Sequence, residues 1–307
     1  MTSLRRALDD YLAVRRQCGF KLVRDRKLLP KFLDFLEQAD SSLITDALAI
    51  AWATQPRDAR PGWWISRLCM VRGFAKYMQA NDPRHAVPSL QLLPRRPSRS
   101  APYIYPPADI AALMRAATTL PSPLRAATYS TLLGLLAVTG LRVGEAVALD
   151  EGDVDLRRGV LLVRKAKFGK SREVPLHPTT TQALVRYACD RDRLAPRHRT
   201  AAFFISTART RLFYQNVHET FLRLVYAAGL AHRRPRRPTI HDLRHTFAVR
   251  TVLAWHRAGD DVEAKLPSLS TYLGHLNPSA TYWYLTAIPE LLEAATARLE
   301  RAWKARS

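Results

Sequence analysis

The sequence predicts a mainly α protein with a small β-sheet, an α+β chain built as an N-terminal helical bundle followed by a larger second domain. Apolar residues recur at three- and four-residue spacing over most of its length, the period of a helix face. Only Val160 to Leu176 switches to short β-type runs with a glycine-containing turn between them. A proline- and arginine-rich stretch breaks both patterns and reads as a linker, dividing the chain into 1–93, 94–107 and 108–307.

In the first domain Leu4, Leu8 and Leu12 open one helix, and Leu28, Leu29, Phe32, Leu33, Phe35 and Leu36 form a second. Ile44 to Ala53 is a third and, after Pro61-Gly62, Trp63 to Met78 a fourth. Between the apolar positions lie Arg5, Arg6, Arg15, Arg16, Lys21, Arg24, Arg26, Lys27, Arg67, Arg72 and Lys76. One-signed charge of this kind is expected to form a cationic face suited to a DNA backbone.

In the second domain Asp109 to Ala117 and Leu124 to Thr139 carry helical patterns, and Thr139-Gly140 breaks the latter just before Arg142. Arg142 can grip a phosphate through two parallel hydrogen bonds, with Glu145 on the same face to orient it; an ordinary ion pair between the two is the bland alternative. Val160 to Val163 and Glu173 to Leu176 read as strands of a hairpin whose tip carries Lys167 or Lys170. Helices over Thr179 to Leu194 and Asn216 to Ala228 follow, separated by Phe203-Phe204-Ile205, and then a basic loop from His232 to Pro238. Thr239 is an expected N-cap for a helix that Gly259 stops. His241 and Arg244 share a face of its first turn, where free N–H groups and the dipole favour an anion. Leu266 to Leu273 reads as a short helix closed by Gly274, which puts His275 in a turn and Tyr284 on the next helix. A tyrosine with a pKa of roughly 10 needs cationic neighbours and a base to attack at neutral pH. Glu290 to Trp303 is an expected amphipathic terminal helix.

Lys and Arg number 48 against 26 Asp and Glu, a net charge of +22 that calls for a polyanionic partner. No stretch approaches the ~18 continuous apolar residues of a spanning helix, and the N-terminus lacks a signal-peptide core. Cys18, Cys69 and Cys189 are isolated, so a reduced, cytoplasmic setting is expected. A zinc site on His241, His245 and His275 is the competing reading. It is weakened by Asp242, where a metalloprotease pattern needs glutamate, and by the cationic Arg244.

Taken in order, Thr139-Gly140-Leu141-Arg142-x-x-Glu145, the hairpin Lys167-Phe168-Gly169-Lys170-Ser171-Arg172, His241-x-Leu243-Arg244-His245 and Leu273-Gly274-His275 with Tyr284 nine residues on resemble the tyrosine recombinases, the phage integrase family. The resemblance spans about 108 to 289; the helical first domain is similar to the family's core-binding domain, and the wording around Tyr272 to Leu285 looks like recombinases of mobile elements. It implies cleavage and rejoining of double-stranded DNA without metal, ATP or other cofactor. Tyr284 would be the nucleophile, Arg142, Arg244 and His275 would hold the phosphate oxygens, His241 would move the tyrosine proton, and Lys167, with Lys170 as the alternative, would protonate the leaving oxygen. Arg95, Arg96, Arg99, Lys170, Arg172, Arg233, Arg234, Arg236 and Arg237 are the expected DNA contacts. A tetramer on synapsed, nucleoid-associated DNA, or an assembly with related recombinases, is also implied, in integration, excision or transposition. The block Asp260 to Lys265 is insertion-like beside many family members. A DNA-binding regulator and a type IB topoisomerase are the rival functions.

Overall fold

The computed structural model describes residues 2–94, 101–164, 171–196, 200–233 and 236–274. The chain separates into two compact units, Met1–Arg99 and Ser100–Ser307.

The first unit consists of α1 (Thr2–Gln17), α2 (Asp25–Gln38), α3 (Asp46–Thr54) and α4 (Pro61–Asn81), with a 3-10 turn over Leu90–Leu92. Each helix turns its apolar stripe inward: Leu4, Leu8 and Leu12, then Leu29, Phe32 and Leu36, then Trp52, then Leu68, Val71 and Phe74 share one core. Each such side chain contributes about 1.5–3 kcal/mol by leaving water. Arg6, Arg16, Lys21, Arg24, Arg26, Lys27 and Lys76 are exposed. Arg67, expected on that cationic face, is instead buried. Its guanidinium lies 3.7 Å from the Trp52 ring centroid and donates from Nη2 to the Trp52 carbonyl. The flat cation finds an aromatic face in the core, which periodicity alone does not reveal.

The second unit runs through α5 (Pro107–Thr118), α6 (Pro123–Thr139), α7 (Val143–Ala148), β1 (Val154–Asp155), β2 (Val160–Val163), β3 (Arg172–Pro175), α8 (Pro178–Leu194), α9 (Tyr214–Ala227), α10 (His241–Ala258) and α11 (Val262–Leu273). The expected hairpin gains β1, giving an antiparallel sheet in the order β1-β2-β3. In the β2–β3 register Val160 faces Pro175 and Val163 faces Arg172. Leu161 and Val174 point into the same core as Leu132, Leu133 and Leu136 of α6, Leu184 and Tyr187 of α8, and Phe221 and Leu224 of α9. A smaller cluster, Ala248, Val249, Val252, Leu266, Leu269 and Leu273, joins α10 to α11. Among the described residues no helix is long and apolar enough to cross a membrane.

Three expectations change. The stretch 101–107, counted with the linker for its prolines, buries Tyr103 and Tyr105 in the second unit's core. The Tyr105 N–H donates to Thr246 Oγ1 at 2.9 Å and its hydroxyl to the Thr239 carbonyl at 3.1 Å, so the aromatic pair overrides the proline signal. The insertion-like block Asp260 to Lys265 carries the first turn of α11. Asp261 is its N-cap, accepting from the Ala264 N–H at 3.2 Å. Thr239 does not cap α10 through its own oxygen; it donates both N–H and hydroxyl to Asp242.

Candidate active site

The site is assembled where α6 ends, α10 begins and α11 ends. Gly140 terminates α6 with φ +61°, and a Cβ there would stand 2.6 Å from Phe247 and 3.1 Å from Leu273. Only glycine lets α6 approach both neighbouring helices this closely. Its carbonyl accepts from Arg244 Nη1 at 2.7 Å. Two residues on, Arg142 starts α7, and its backbone N–H donates to Glu145 Oε2 at 3.0 Å, half of a capping box. Its Nη1 reaches Glu145 Oε1 at 2.8 Å and its Nη2 the Gly274 carbonyl at 3.1 Å.

Three consecutive carbonyls at the end of α11 each accept one arginine. Tyr272 O takes Arg172 Nε at 2.7 Å, Leu273 O takes Arg244 Nη2 at 2.6 Å, and Gly274 O takes Arg142. A helix C-terminus has unpaired carbonyls and the negative end of the dipole, so it is a natural cation receptor. Gly274, at φ +67°, turns the chain there, and a Cβ on it would lie 2.8 Å from Arg172 Nη1.

Arg244 is 2 % exposed and its side chain braces the frame. Arg142 is more open, its side chain 30 % exposed, and among the described residues two of its five N–H donors are used. Burial pushes Glu145 up, but the Arg172 hydrogen bonds, the Arg142 N–H and the two cationic charges outweigh it, so its carboxyl is held below the ordinary range. It stays anionic between the two arginines.

His241 opens α10 and is exposed, its ring edge-to-face with His245 at 4.7 Å between centroids. Desolvation by the surrounding protein, then the charges of Arg244, Arg142 and Arg236, push its imidazole down to about 4. Neutral at pH 7, it can accept a proton. The same cations disfavour a dication there, which counts against the zinc reading. Beside it Asp242 is fully buried; burial pushes its carboxyl up, opposed by Thr239 and by Arg236, whose Nη2 stands at 2.6 Å.

Of the expected catalytic residues, Arg142, His241 and Arg244 therefore converge, while Lys167, His275 and Tyr284 lie outside the described residues. Of the expected DNA contacts, Arg95, Arg96, Arg99, Lys170 and Arg234 lie outside them too, as does the helix Glu290 to Trp303. Arg237 is exposed, and Arg236 and Arg233 pair with Asp242 and Asp109, folding the basic loop onto its own unit. Asp109 also accepts from the Tyr103 hydroxyl; burial and that carboxylate push Tyr103 up to about 12. Arg172, also expected to meet DNA, has a side chain 12 % exposed that spends its fork on Glu145 at 2.9 and 3.2 Å. The sequence placed Arg172 at a strand start, but a partner 27 residues away is visible only in three dimensions.

Residues 105–290 match the phage integrase family. The chain is 43 % identical over 100 % of both sequences to y4rB of Sinorhizobium fredii, whose name assigns it provisionally to the integrases and recombinases. It is 33 % identical to the tyrosine recombinase XerD of Xanthomonas campestris, covering 86 % of this chain and 78 % of XerD. Among solved structures, the Tn1549 transposon integrase in complex with transposon right end DNA has the same fold, with a TM-score of 0.68 at 19 % identity over 96 % of this chain and 98 % of that one.

Proposed function

The chain belongs to the phage integrase family, and from that premise we propose that it is a site-specific tyrosine recombinase that cuts and rejoins double-stranded DNA through a 3′-phosphotyrosyl link to Tyr284. The Tyr284 hydroxyl attacks the scissile phosphorus as the bond to the 5′ oxygen breaks. Neutral His241 takes the tyrosine proton, and Lys167 gives one to the departing 5′ oxygen, which leaves as a hydroxyl. The phosphotyrosine keeps the energy of the broken ester, so the reverse attack by a new 5′ hydroxyl needs no ATP. Charge on the pentacoordinate transition state meets Arg142, Arg244 and His275 in place of a metal.

One observation carries the reading: Arg142 and Arg244 are fixed on neighbouring carbonyls of a single helix end, with His241 at the start of the adjoining helix. Preorganised cations around a neutral base suit phosphoryl transfer better than DNA binding alone. The first unit's exposed lysines and arginines would hold the duplex backbone, and four protomers would synapse two duplexes. Recombination of mobile-element ends is the expected setting.

The test is covalent capture in EDTA on a nicked suicide duplex whose site is selected from a random-sequence pool by binding to the protein. A denaturation-resistant adduct is expected for wild type and for a Tyr282→Phe control, which removes the tyrosine two residues before Tyr284, and absent for Tyr284→Phe. Tight binding without any adduct would leave a regulator; an adduct only with added divalent metal would overturn the metal-free mechanism.

A further inference from the structure

Arg172 has no part in the chemistry above, yet three of its nitrogens are bonded inside the protein. We propose that Arg172 is a positioning residue, clamping Glu145, and through it Arg142, to the end of α11. The proposal rests on the recombinase reading.

Glu145 makes four hydrogen bonds in this frame. Oε1 accepts from Arg142 Nη1 and Arg172 Nη1, and Oε2 from the Arg142 N–H and Arg172 Nη2. Arg172 therefore supplies half of what fixes the carboxylate that aims Arg142. Its Nε simultaneously holds the Tyr272 carbonyl, and its Nη1 lies where a Gly274 Cβ would fall. One planar fork spans two carboxylate oxygens and a carbonyl; a lysine offers a point charge and cannot span all three. The placement has a second consequence. Arg172 begins β3 and Gly274 closes α11, so one guanidinium ties the start of β3, Arg142 and the end of α11 to one reference.

The experiment uses full-length protein and the same suicide duplex, with a phosphate or an uncharged methylphosphonate at the scissile position. Arg172→Lys, Arg172→Gln, Arg142→Lys and Arg142→Lys/Arg172→Lys are compared by affinity, salt dependence and single-turnover adduct rate. Arg172→Lys is expected to bind within about twofold of wild type but to form adduct about 10- to 100-fold more slowly, the scale of a small misplacement in an active site. The double variant is expected to be no slower than Arg142→Lys alone, and the methylphosphonate, with less charge for Arg142 to meet, to shrink the Arg172→Lys defect. A wild-type rate in Arg172→Lys would overturn the proposal. So would additive losses in the double variant, which mark independent action, or weaker binding with a salt slope smaller by about 1, which marks a direct phosphate contact. Should Arg172→Gln fail to fold, the Arg172→Lys comparison stands by itself. No Tyr284-dependent adduct from wild type would overturn the recombinase reading and this proposal with it; a normal wild-type adduct with an unaffected Arg172→Lys overturns this proposal alone.

Discussion

Arginine serves two purposes in this chain, and an exposed set in the first unit contrasts with a buried set in the second. In the first unit Arg5 and Arg84 make ion pairs with side chains 47 % and 75 % exposed, to Asp34, Glu37 and Asp82. In the second unit Arg244 and Arg172 are almost withdrawn from solvent and bonded to carbonyls and Glu145. Surface pairs in water are worth little and are screened by salt, so their charges shape a field. Buried guanidiniums must have every bond answered, so they fix geometry instead. A long-range attraction for a polyanion and a sub-ångström placement of charge thus come from the same residue type, separated by burial.

That contrast is broken most decisively at Glu145. Glu145→Gln leaves two partly buried cations facing a neutral amide, and a loss of about 3 kcal/mol in urea unfolding is expected, the scale of breaking a buried pair. Arg84→Ala is the paired control, its thermal midpoint expected within about a degree of wild type. Equal midpoints for the two variants would erase the distinction.

A smaller effect isolates the packing at the end of α11. Gly274 and Gly259 both have positive φ, but a Cβ at Gly259 meets nothing within 4 Å while one at Gly274 meets Arg172. Both alanine variants should lose about 1–2 kcal/mol to backbone strain. Gly274→Ala should lose more than Gly259→Ala and also slow adduct formation. Matching losses would mean that Arg172 yields freely.

The smallest effect is on pH. His241 is exposed, so solvent screens much of the effect of the desolvation and neighbouring arginines that lower it from 6.5 to about 4; between those values the unfolded chain binds more protons than the folded one. Stability is therefore complete above about 6.5 and declines as pH drops towards 4. His241→Gln should flatten the dependence of the thermal midpoint on pH in this window by a few degrees, measured without DNA. An unchanged slope would place the acid sensitivity elsewhere.

Much of this was legible in the chain. Leucines at helical spacing located α1 to α6 and α8 to α10, because a helix needs only a local period and a stop. The order of Arg142, His241, Arg244 and Gly274 marked the candidate site before its geometry was known, and Gly140, Gly259 and Gly274 bounded its helices. Burial was less legible. Arg67 looks like any cation on an amphipathic helix until Trp52 is placed beneath it, and Tyr103 and Tyr105 sit among prolines that read as linker.

By itself the sequence determined most of the helices, the excess of positive charge and the candidates for handling a phosphate, since each follows from local spacing or composition. The tertiary structure decided what holds each arginine in place. That choice depends on partners far apart in the chain: Arg172 on Glu145 and Tyr272, Arg244 on Gly140 and Leu273, Arg236 on Asp242. A guanidinium has the same charge everywhere, and only its surroundings fix whether water, phosphate or a helix end will satisfy it.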